Sequence, residues 1–222
     1  MINRLITCCL YEAAQMAAEG LPLSWIDSAI VEFGMPMGPW EVLDQVGLDL
    51  SCEVAQTLHN AFGTRFASTD VMERVEAVRA YGQRTGTRIF YYDETGKKGG
   101  YNEGMVAESG FKLSSEKPDE ATKQEIVYKL FLPMVDEAAR CLEERIVMRP
   151  REVDMALVQG IGFPAFRGGV LRWADSLTLP FAMAKLEEIY ARSKPPRQVS
   201  QLVRKYVSTG RGFYSLGSGQ EE

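Results

Sequence analysis

The sequence predicts an all-α protein built from two copies of one helical unit. Apolar residues recur at helical spacing along most of the 222-residue chain, whereas strand signals are confined to RIFYYD at residues 88–93. Glycine and proline stand where helices end and begin. Motifs of the first half return in the same order in the second half.

Five helices are predicted in the first half. Their ranges are 3–19, 25–33, 39–46, 49–62 and 70–82. Ser24 is expected to cap the second helix, and Pro39 suits the first turn of the third. The stretch ETGKKGGYNEG at residues 94–104 is rich in glycine and charge and almost free of aliphatic residues, which predicts a loop or linker.

The second half is predicted to be helical from about residue 118. Helices are expected over residues 118–142, 150–159, 169–177 and from 179 to the KPP at 194–196, with a last one ending near residue 208. Thr178 is expected to cap the fourth of these helices.

Five motifs pair the two halves. They are EAAQMAAEG with EAARCLEER, SWIDSAIVEFG with REVDMALVQG, FGMPMGP with GIGFPAFRGG, VLDQVG with RWADSL, and RTGTRIFYYD with STGRGFYSL. This order pairs Asp27 with Asp154 and Asp44 with Asp175. Five matches in one order indicate a duplication, each copy being roughly 90 to 100 residues long, within the usual domain size.

The motif FGMPMGP at residues 33–39 predicts a rigid corner between two helices. Gly34 can end a helix in the left-handed conformation, and Pro36 and Pro39 prevent helix continuation until a new first turn. The residues alone leave two readings open: a structural corner, or a corner that also lines a ligand or domain interface.

Composition excludes several classes of function. The net charge of −5 does not suggest a nucleic-acid-binding surface, and no apolar run approaches the length of a membrane span. The N-terminus does not look like a signal peptide, so a cytoplasmic location is expected. Four cysteines and the single His59 lack the spacing of a metal site and predict reduced thiols without a bound metal.

These residues resemble a known family. MINRLI, EAAQMAAEG, IDSAIVEFGMPMGPWEVLDQVGLDL and TGTRIFYYD are similar to the C-terminal domain of 3-hydroxyacyl-CoA dehydrogenases. The second half, with EAARCLEER, GIGFPAFRGG and GRGFY, looks like a degenerate second copy. Such a tandem is found in the multifunctional α subunit of fatty-acid β-oxidation enzymes.

The resemblance implies two tandem copies of the helical fold found at the C-terminus of 6-phosphogluconate dehydrogenase. The first copy is expected over residues 1–95, a linker over 96–117, and the second copy over 118–222.

The resemblance also implies a function for a longer enzyme, which oxidises (3S)-3-hydroxyacyl-CoA with NAD. In that family a preceding Rossmann domain binds NAD and carries the catalytic His. This sequence contains no G-x-G-x-x-G after a strand, and His59 stands far downstream of the expected position of that His. The chain is therefore expected to be a fragment that is inactive alone and binds no cofactor, with acyl-CoA and the Rossmann domain as its partners.

One site residue can be carried over from the family. The Asn of its N-R pair contacts the reacting end of the substrate, and here that residue is Asn3. The alternative is that Asn3 only caps the first helix. The second copy has Tyr128-Lys129 at this position, so no equivalent site is expected there. No residue of the chain is expected to be catalytic.

A dimer or β-oxidation complex subunits are further expected partners. An alternative function is an autonomous helical module for dimerisation or assembly, without a catalytic role. Exposure of its tryptophans, Trp25, Trp40 and Trp173, would support this reading. Four basic residues could meet the phosphates of CoA, although they could equally be solvated surface charges: Lys97, Lys98, Arg167 and Arg172.

Overall fold

The computed structural model describes residues 1–66, 69–193 and 196–214, without the side chains of residues 64 and 69–73. This part of the chain contains eleven α-helices, two short 3₁₀ turns and one two-stranded sheet. The prediction of a helical protein is therefore confirmed. None of the helices in the described ranges is long and apolar enough to span a bilayer.

The helices of the first copy follow the predicted ranges closely. They are α1 (Ile2–Ala18), α2 (Leu23–Phe33), α3 (Pro39–Val46), α4 (Leu48–Phe62) and α5 (Thr69–Thr85). The predicted cap of α2 was wrong, because Pro22 is the N-cap residue. The Ser24 hydroxyl instead donates to the carbonyl of Ser114 at 2.9 Å, which ties α2 to a segment far along the chain.

The segment that was expected to be a loop or linker contains regular structure. Strand β2 (Lys98–Tyr101) lies in it and pairs antiparallel with β1 (Phe90–Tyr92), which lies in the predicted extended segment RIFYYD; Phe90 is opposite Tyr101. Helix α6 (Glu103–Ser109) follows, and the Asn102 side chain caps it by accepting from the Met105 N–H at 3.2 Å. Met105, Val106 and Phe111 are buried, so this segment contributes to the core.

The second copy contains helices α7 to α11. Their bounds are α7 (Glu120–Glu143), α8 (Pro150–Ile161), α9 (Val170–Leu177), α10 (Leu179–Ala191) and α11 (Gln201–Ser208). Thr178 occupies the N-cap position of α10, but its side chain makes no capping hydrogen bond. Two residues of the predicted KPP break and the last two of STGRGFYSL lie outside the described residues.

The chain divides into two compact units whose residue ranges differ from those of the two sequence copies. One unit contains Met1–Ile6 and Phe131–Glu222, and the other contains Thr7–Leu130. The first turn of α1 thus packs with the second copy, and the first half of α7 packs with the first copy. The expected boundaries at 1–95, 96–117 and 118–222 stay predictions.

Each unit has its own apolar core. In the unit of residues 7–130, the Trp40 and Phe111 rings lie 5.7 Å apart, and both side chains are buried. In the other unit, Phe131 meets Phe163 and Trp173 edge to face, with centroids 5.4 Å and 6.0 Å apart. Aromatic pairs in this geometry add to the stabilisation gained from their buried area.

Candidate functional site

The corner FGMPMGP is held by a buried carboxylate. Asp27 on α2 accepts hydrogen bonds from the Trp40 backbone N–H at 3.3 Å and from the Tyr101 hydroxyl at 2.7 Å. A Cβ at Gly38 would lie 2.1 Å from Asp27 Oδ1, so only glycine allows this close approach. Burial raises the pKa of Asp27 to about 7, against the hydrogen bonds from Tyr101 and Trp40, which lower it.

The second copy repeats this arrangement. Asp154 on α8 accepts from the backbone N–H groups of Leu171 at 2.8 Å and Arg172 at 3.1 Å, and from the Tyr214 hydroxyl at 2.7 Å. Gly169 takes the place of Gly38, since a Cβ there would lie 2.2 Å from the Cβ of Asp154. The two corners are therefore structural equivalents, as the sequence pairing predicted.

A second pair of carboxylates holds the extended segment that ends each copy. Asp44 accepts from the N–H groups of Ile89 at 2.8 Å and Phe90 at 2.9 Å. Asp175 accepts from those of Phe213 at 2.9 Å and Tyr214 at 2.8 Å. The turns RTGTRIFYYD and STGRGFYSL thus share a structural role.

These four carboxylates form a structural frame. Each accepts at least two hydrogen bonds from backbone or tyrosine donors, so the hydrogen bonds that its buried oxygens need are supplied within the fold. Sequence comparison of the two halves had aligned these residues without assigning them a role. The available signal was an aspartate at a helical position otherwise occupied by apolar residues, which predicts a buried carboxylate with local donors.

Asn3 is exposed in the first turn of α1. Because the helix already includes Ile2, Asn3 does not occupy the N-cap position. Among the described residues, its side chain makes no hydrogen bond. The amide is therefore available to a ligand, with one donor group and one acceptor oxygen.

The neighbouring Arg4 is buried and bound by two carboxylates, Glu137 on α7 and Glu144 directly after the end of α7. Its Nε donates to Glu137 Oε1 at 2.7 Å, and its Nη1 donates to Glu144 Oε2 at 2.5 Å. Burial opposes the charge, but the hydrogen bond to Glu144 and the charge of Glu137 raise the pKa of Arg4. We call Arg4, Glu137 and Glu144 the arginine clamp. The clamp fixes the first turn of α1, on which Asn3 lies.

The equivalent position of the second copy is different. Tyr128 and Lys129 stand there within α7, and Lys129 Nζ lies 3.7 Å from Glu19 Oε2. Glu19 and Glu144 are equivalent in the duplication, so this ion pair is the counterpart of the Arg4–Glu144 pair. It is longer and more exposed, and it lacks the asparagine.

His59 lies on α4 with a half-buried side chain. Its Nδ1 is enclosed and has no hydrogen-bond partner in the described part of the chain. A general base needs a partner that orients it and a path to the proton it removes. Neither is found at His59 among the described residues, so the histidine offers no support for catalysis.

Three of the four basic residues considered for phosphate binding have local partners. Lys98 forms an ion pair with Glu41, and its Nζ lies 4.9 Å from the centroid of the Phe90 ring. The Arg172 guanidinium lies 3.9 Å from the centroid of Tyr214, and that of Arg167 lies 5.1 Å from Phe166. These contacts indicate structural surface roles. Lys97 is exposed.

The tryptophans do not form an exposed face. Trp40 and Trp173 are buried in the two cores. Trp25 is half-buried, and its Nε1 donates to the carbonyl of Glu116 at 2.7 Å. Exposed tryptophans, which would have supported an autonomous interaction module, are thus not found at these three positions.

Neither a metal nor a dinucleotide fits the described residues. No group of three or more His, Cys, Asp or Glu side chains in the described ranges is arranged to hold a metal ion. Dinucleotides bind at a parallel sheet, on a glycine-rich turn that leads into a helix. The sheet within the described residues is an antiparallel hairpin, which offers no such turn to a dinucleotide.

Sequence comparison identifies related proteins. A family model for the C-terminal domain of 3-hydroxyacyl-CoA dehydrogenase matches residues 1–92 and 126–219. The fatty acid oxidation complex subunit alpha of Shewanella amazonensis is 32% identical over 214 residues, which are 96% of this chain and 30% of that subunit. The subunit of Vibrio cholerae is 35% identical over 179 residues, 80% of this chain and 24% of its own length. The chain thus spans less than a third of these relatives.

Solved structures show the same fold. The 3-hydroxybutyryl-CoA dehydrogenase of Escherichia coli K12 matches with a TM-score of 0.64 at 18% identity, over 94% of this chain and 59% of that one. The dehydrogenase part of multifunctional enzyme 1 from C. elegans matches with a TM-score of 0.61 at 22% identity, over 91% of this chain and 46% of that one.

Proposed function

Because the chain belongs to the family of 3-hydroxyacyl-CoA dehydrogenase C-terminal domains, we propose that it forms the substrate-side helical part of an NAD-dependent (3S)-3-hydroxyacyl-CoA dehydrogenase of fatty-acid β-oxidation. The observation that carries the proposal is Asn3, an exposed amide on a helix turn fixed by the arginine clamp. Its amide donates to the C3 oxygen of the substrate or to the thioester carbonyl.

The proposed reaction needs groups that the described residues do not supply. A general base must take the proton of the 3-hydroxyl while NAD accepts the hydride from C3. We propose that both come from a dinucleotide-binding domain of the same polypeptide and that this chain is inactive alone. The chain then contributes the helical wall beside the acyl-CoA and the surface on which that domain docks.

Other partners follow from the named relatives. Those of Shewanella amazonensis and Vibrio cholerae are subunits of a fatty acid oxidation complex. We propose that the complete protein acts in the cytoplasm and joins a dimer or a complex of this kind.

A chimera tests the proposal. In the chimera, this chain replaces the matching 214-residue region of the Shewanella amazonensis subunit. We expect the chimera to reduce acetoacetyl-CoA with NADH and the isolated chain to show no turnover. Asn3→Ala should lower kcat by about 10²- to 10³-fold, the loss typical of a transition-state hydrogen-bond donor.

A matched control separates the site from general effects of losing an amide. Asn60 is an exposed asparagine on α4, and Asn60→Ala should leave kcat unchanged. A rate that follows the purified isolated chain would contradict the fragment interpretation. A folded chimera without activity, or equal rates for the Asn3 and Asn60 variants, would contradict the proposed site.

A further inference from the structure

The first turn of α1 is anchored by residues of the second copy. Arg4 is 6% exposed and Leu5 is fully buried, and both belong to the compact unit that contains Phe131–Glu222. Two carboxylates bind Arg4: Glu137 on α7, and Glu144 directly after its end, about two helical turns further along and on the same face. The turn that carries Asn3 is therefore placed by α7 as well as by the remainder of α1.

The geometry of the clamp fixes the orientation of the Arg4 side chain and also balances its positive charge. The planar guanidinium of Arg4 donates from Nε to Glu137 Oε1 at 2.7 Å and from Nη1 to Glu144 Oε2 at 2.5 Å. Its Nη2 lies between the two carboxylates, 2.5 Å from Glu137 Oε1 and 3.3 Å from Glu144 Oε1. Such a fork fixes the direction of the side chain, whereas a lysine ammonium offers only a point charge. The clamp thus restricts rotation of the turn about the helix axis.

A second contact restricts the turn from another side. The Cδ1 of Ile2 lies 2.9 Å from the position that a Cβ at Gly160 would occupy. Glycine at the end of α8 therefore leaves the space into which Ile2 packs. Ile2 and Arg4 flank Asn3 in the sequence, and both contact the second copy.

An anchor is needed here because helix ends are weakly held. The first N–H groups of a helix have no partners within the helix, so a terminal turn frays unless side chains hold it. The second copy provides an internal comparison, since its counterpart pair, Lys129 and Glu19, is longer at 3.7 Å and more exposed. The tighter anchor is found in the copy that has the asparagine.

We propose that Arg4 is a positioning residue for Asn3, and that the second copy acts in the dehydrogenase by holding this turn through Glu137 and Glu144. The inference rests on the proposed function, because it gives Asn3 a substrate to meet. Arg4 itself touches no reacting atom. Its effect passes through the placement of the Asn3 amide, for which an error of about 1 Å can cost 10²-fold in rate.

A double-mutant cycle in the chimera tests the coupling. Arg4→Lys keeps the charge and removes the fork, and should lower kcat by about 10- to 100-fold with little change in KM for acetoacetyl-CoA. In the Asn3→Ala background, Arg4→Lys should cost almost nothing further, because the group it positions is absent.

Two further variants guard against a folding defect. Glu137→Gln keeps Arg4 and the shape of its partner, and should give a smaller loss of kcat with the same dependence on Asn3. Lys129→Gln removes the equivalent pair of the second copy and should leave kcat unchanged. Circular dichroism and the unfolding midpoint identify any variant that does not fold. The variants that do fold then test whether Arg4 positions Asn3.

The outcomes separate the two proposals. If Asn3→Ala leaves kcat unchanged, the proposed site is wrong. If Asn3→Ala lowers kcat but the losses from Asn3→Ala and Arg4→Lys multiply, or if Arg4→Lys and Glu137→Gln leave kcat unchanged, the positioning role is wrong and the proposed site stands.

Discussion

Replacing Thr178 with glycine should stabilise the chain. Thr178 joins α9 to α10 with φ 71° and ψ 132°, a conformation that a β-branched residue rarely adopts. The equivalent junction of the first copy, between α3 and α4, is Gly47 with φ 91° and ψ 133°. The two copies therefore share one backbone conformation, and only the first has the residue suited to it.

The expected gain follows from two opposing contributions. Strain at a non-glycine residue in such a conformation costs about 1 to 3 kcal/mol. Glycine also gives the unfolded chain more freedom, which reduces the gain by about 0.4 to 1 kcal/mol. The exposed Thr178 side chain makes no capping hydrogen bond, so no contact of this kind is lost. The net stabilisation should be about 1 kcal/mol, or about 2 to 4 °C in Tm for a chain of this length.

Urea unfolding of the 222-residue chain measures this gain. The midpoint should rise with an unchanged dependence on urea. The matched control is Gly47→Thr, whose Cβ would meet no atom within 4 Å, so that any loss comes from the backbone conformation alone. It should destabilise by about 1 to 3 kcal/mol. A neutral or destabilising Thr178→Gly, together with a neutral Gly47→Thr, would refute the assignment of strain.

Three further predictions concern the frame and the thiols. Burial raises the pKa of Asp27 to about 7, so the protonated carboxyl stabilises the fold at low pH and this contribution is lost as pH rises from about 4 to 7. The difference in unfolding free energy between wild type and Asp27→Asn should therefore change by up to about 4 kcal/mol over that range. A difference that stays constant with pH would contradict the raised pKa. Gly169→Ala should lower the unfolding free energy by at least about 2 kcal/mol through its clash with Asp154 and through its φ of 107°, whereas Gly100→Ala, which meets open space, should cost less than about 0.5 kcal/mol. Reaction with a disulfide reagent should modify one thiol first, that of the half-buried Cys52, and Cys52→Ser should remove this phase; fast modification of a second thiol would contradict the burial of the other three.

Most helices could be predicted from the sequence because their signal is local. Apolar spacing and terminal glycines or prolines set α3 and α9 within a residue or two of the structure. Strand β1 was predicted within RIFYYD, but β2 and α6 were not, because GKKGG carries no apolar pattern and β2 is stabilised by pairing with β1. Ser24 fits the composition of a cap, but its hydroxyl bonds a carbonyl 90 residues away.

The candidate site was less accessible to sequence reasoning. Asn3 could be named through the family resemblance, and the duplication aligned Asp27 with Asp154. The partners could not be named, since Tyr101 is 74 residues from Asp27 and Glu137 is 133 residues from Arg4. Such contacts depend on the tertiary fold, and nothing local to either residue indicates them.

In the proposed function, the frame and the arginine clamp make the placement of Asn3 depend on the second copy. Asp154 and its three donors hold the corner of the second copy, and leaving a buried hydrogen-bonding group without its partner costs about 1 to 3 kcal/mol, a large part of the stability of a typical domain. Glu137 and Glu144 keep their positions only while that copy is folded. A defect in the second corner should therefore reach Asn3 through Arg4, although the second copy has no asparagine of its own at this position.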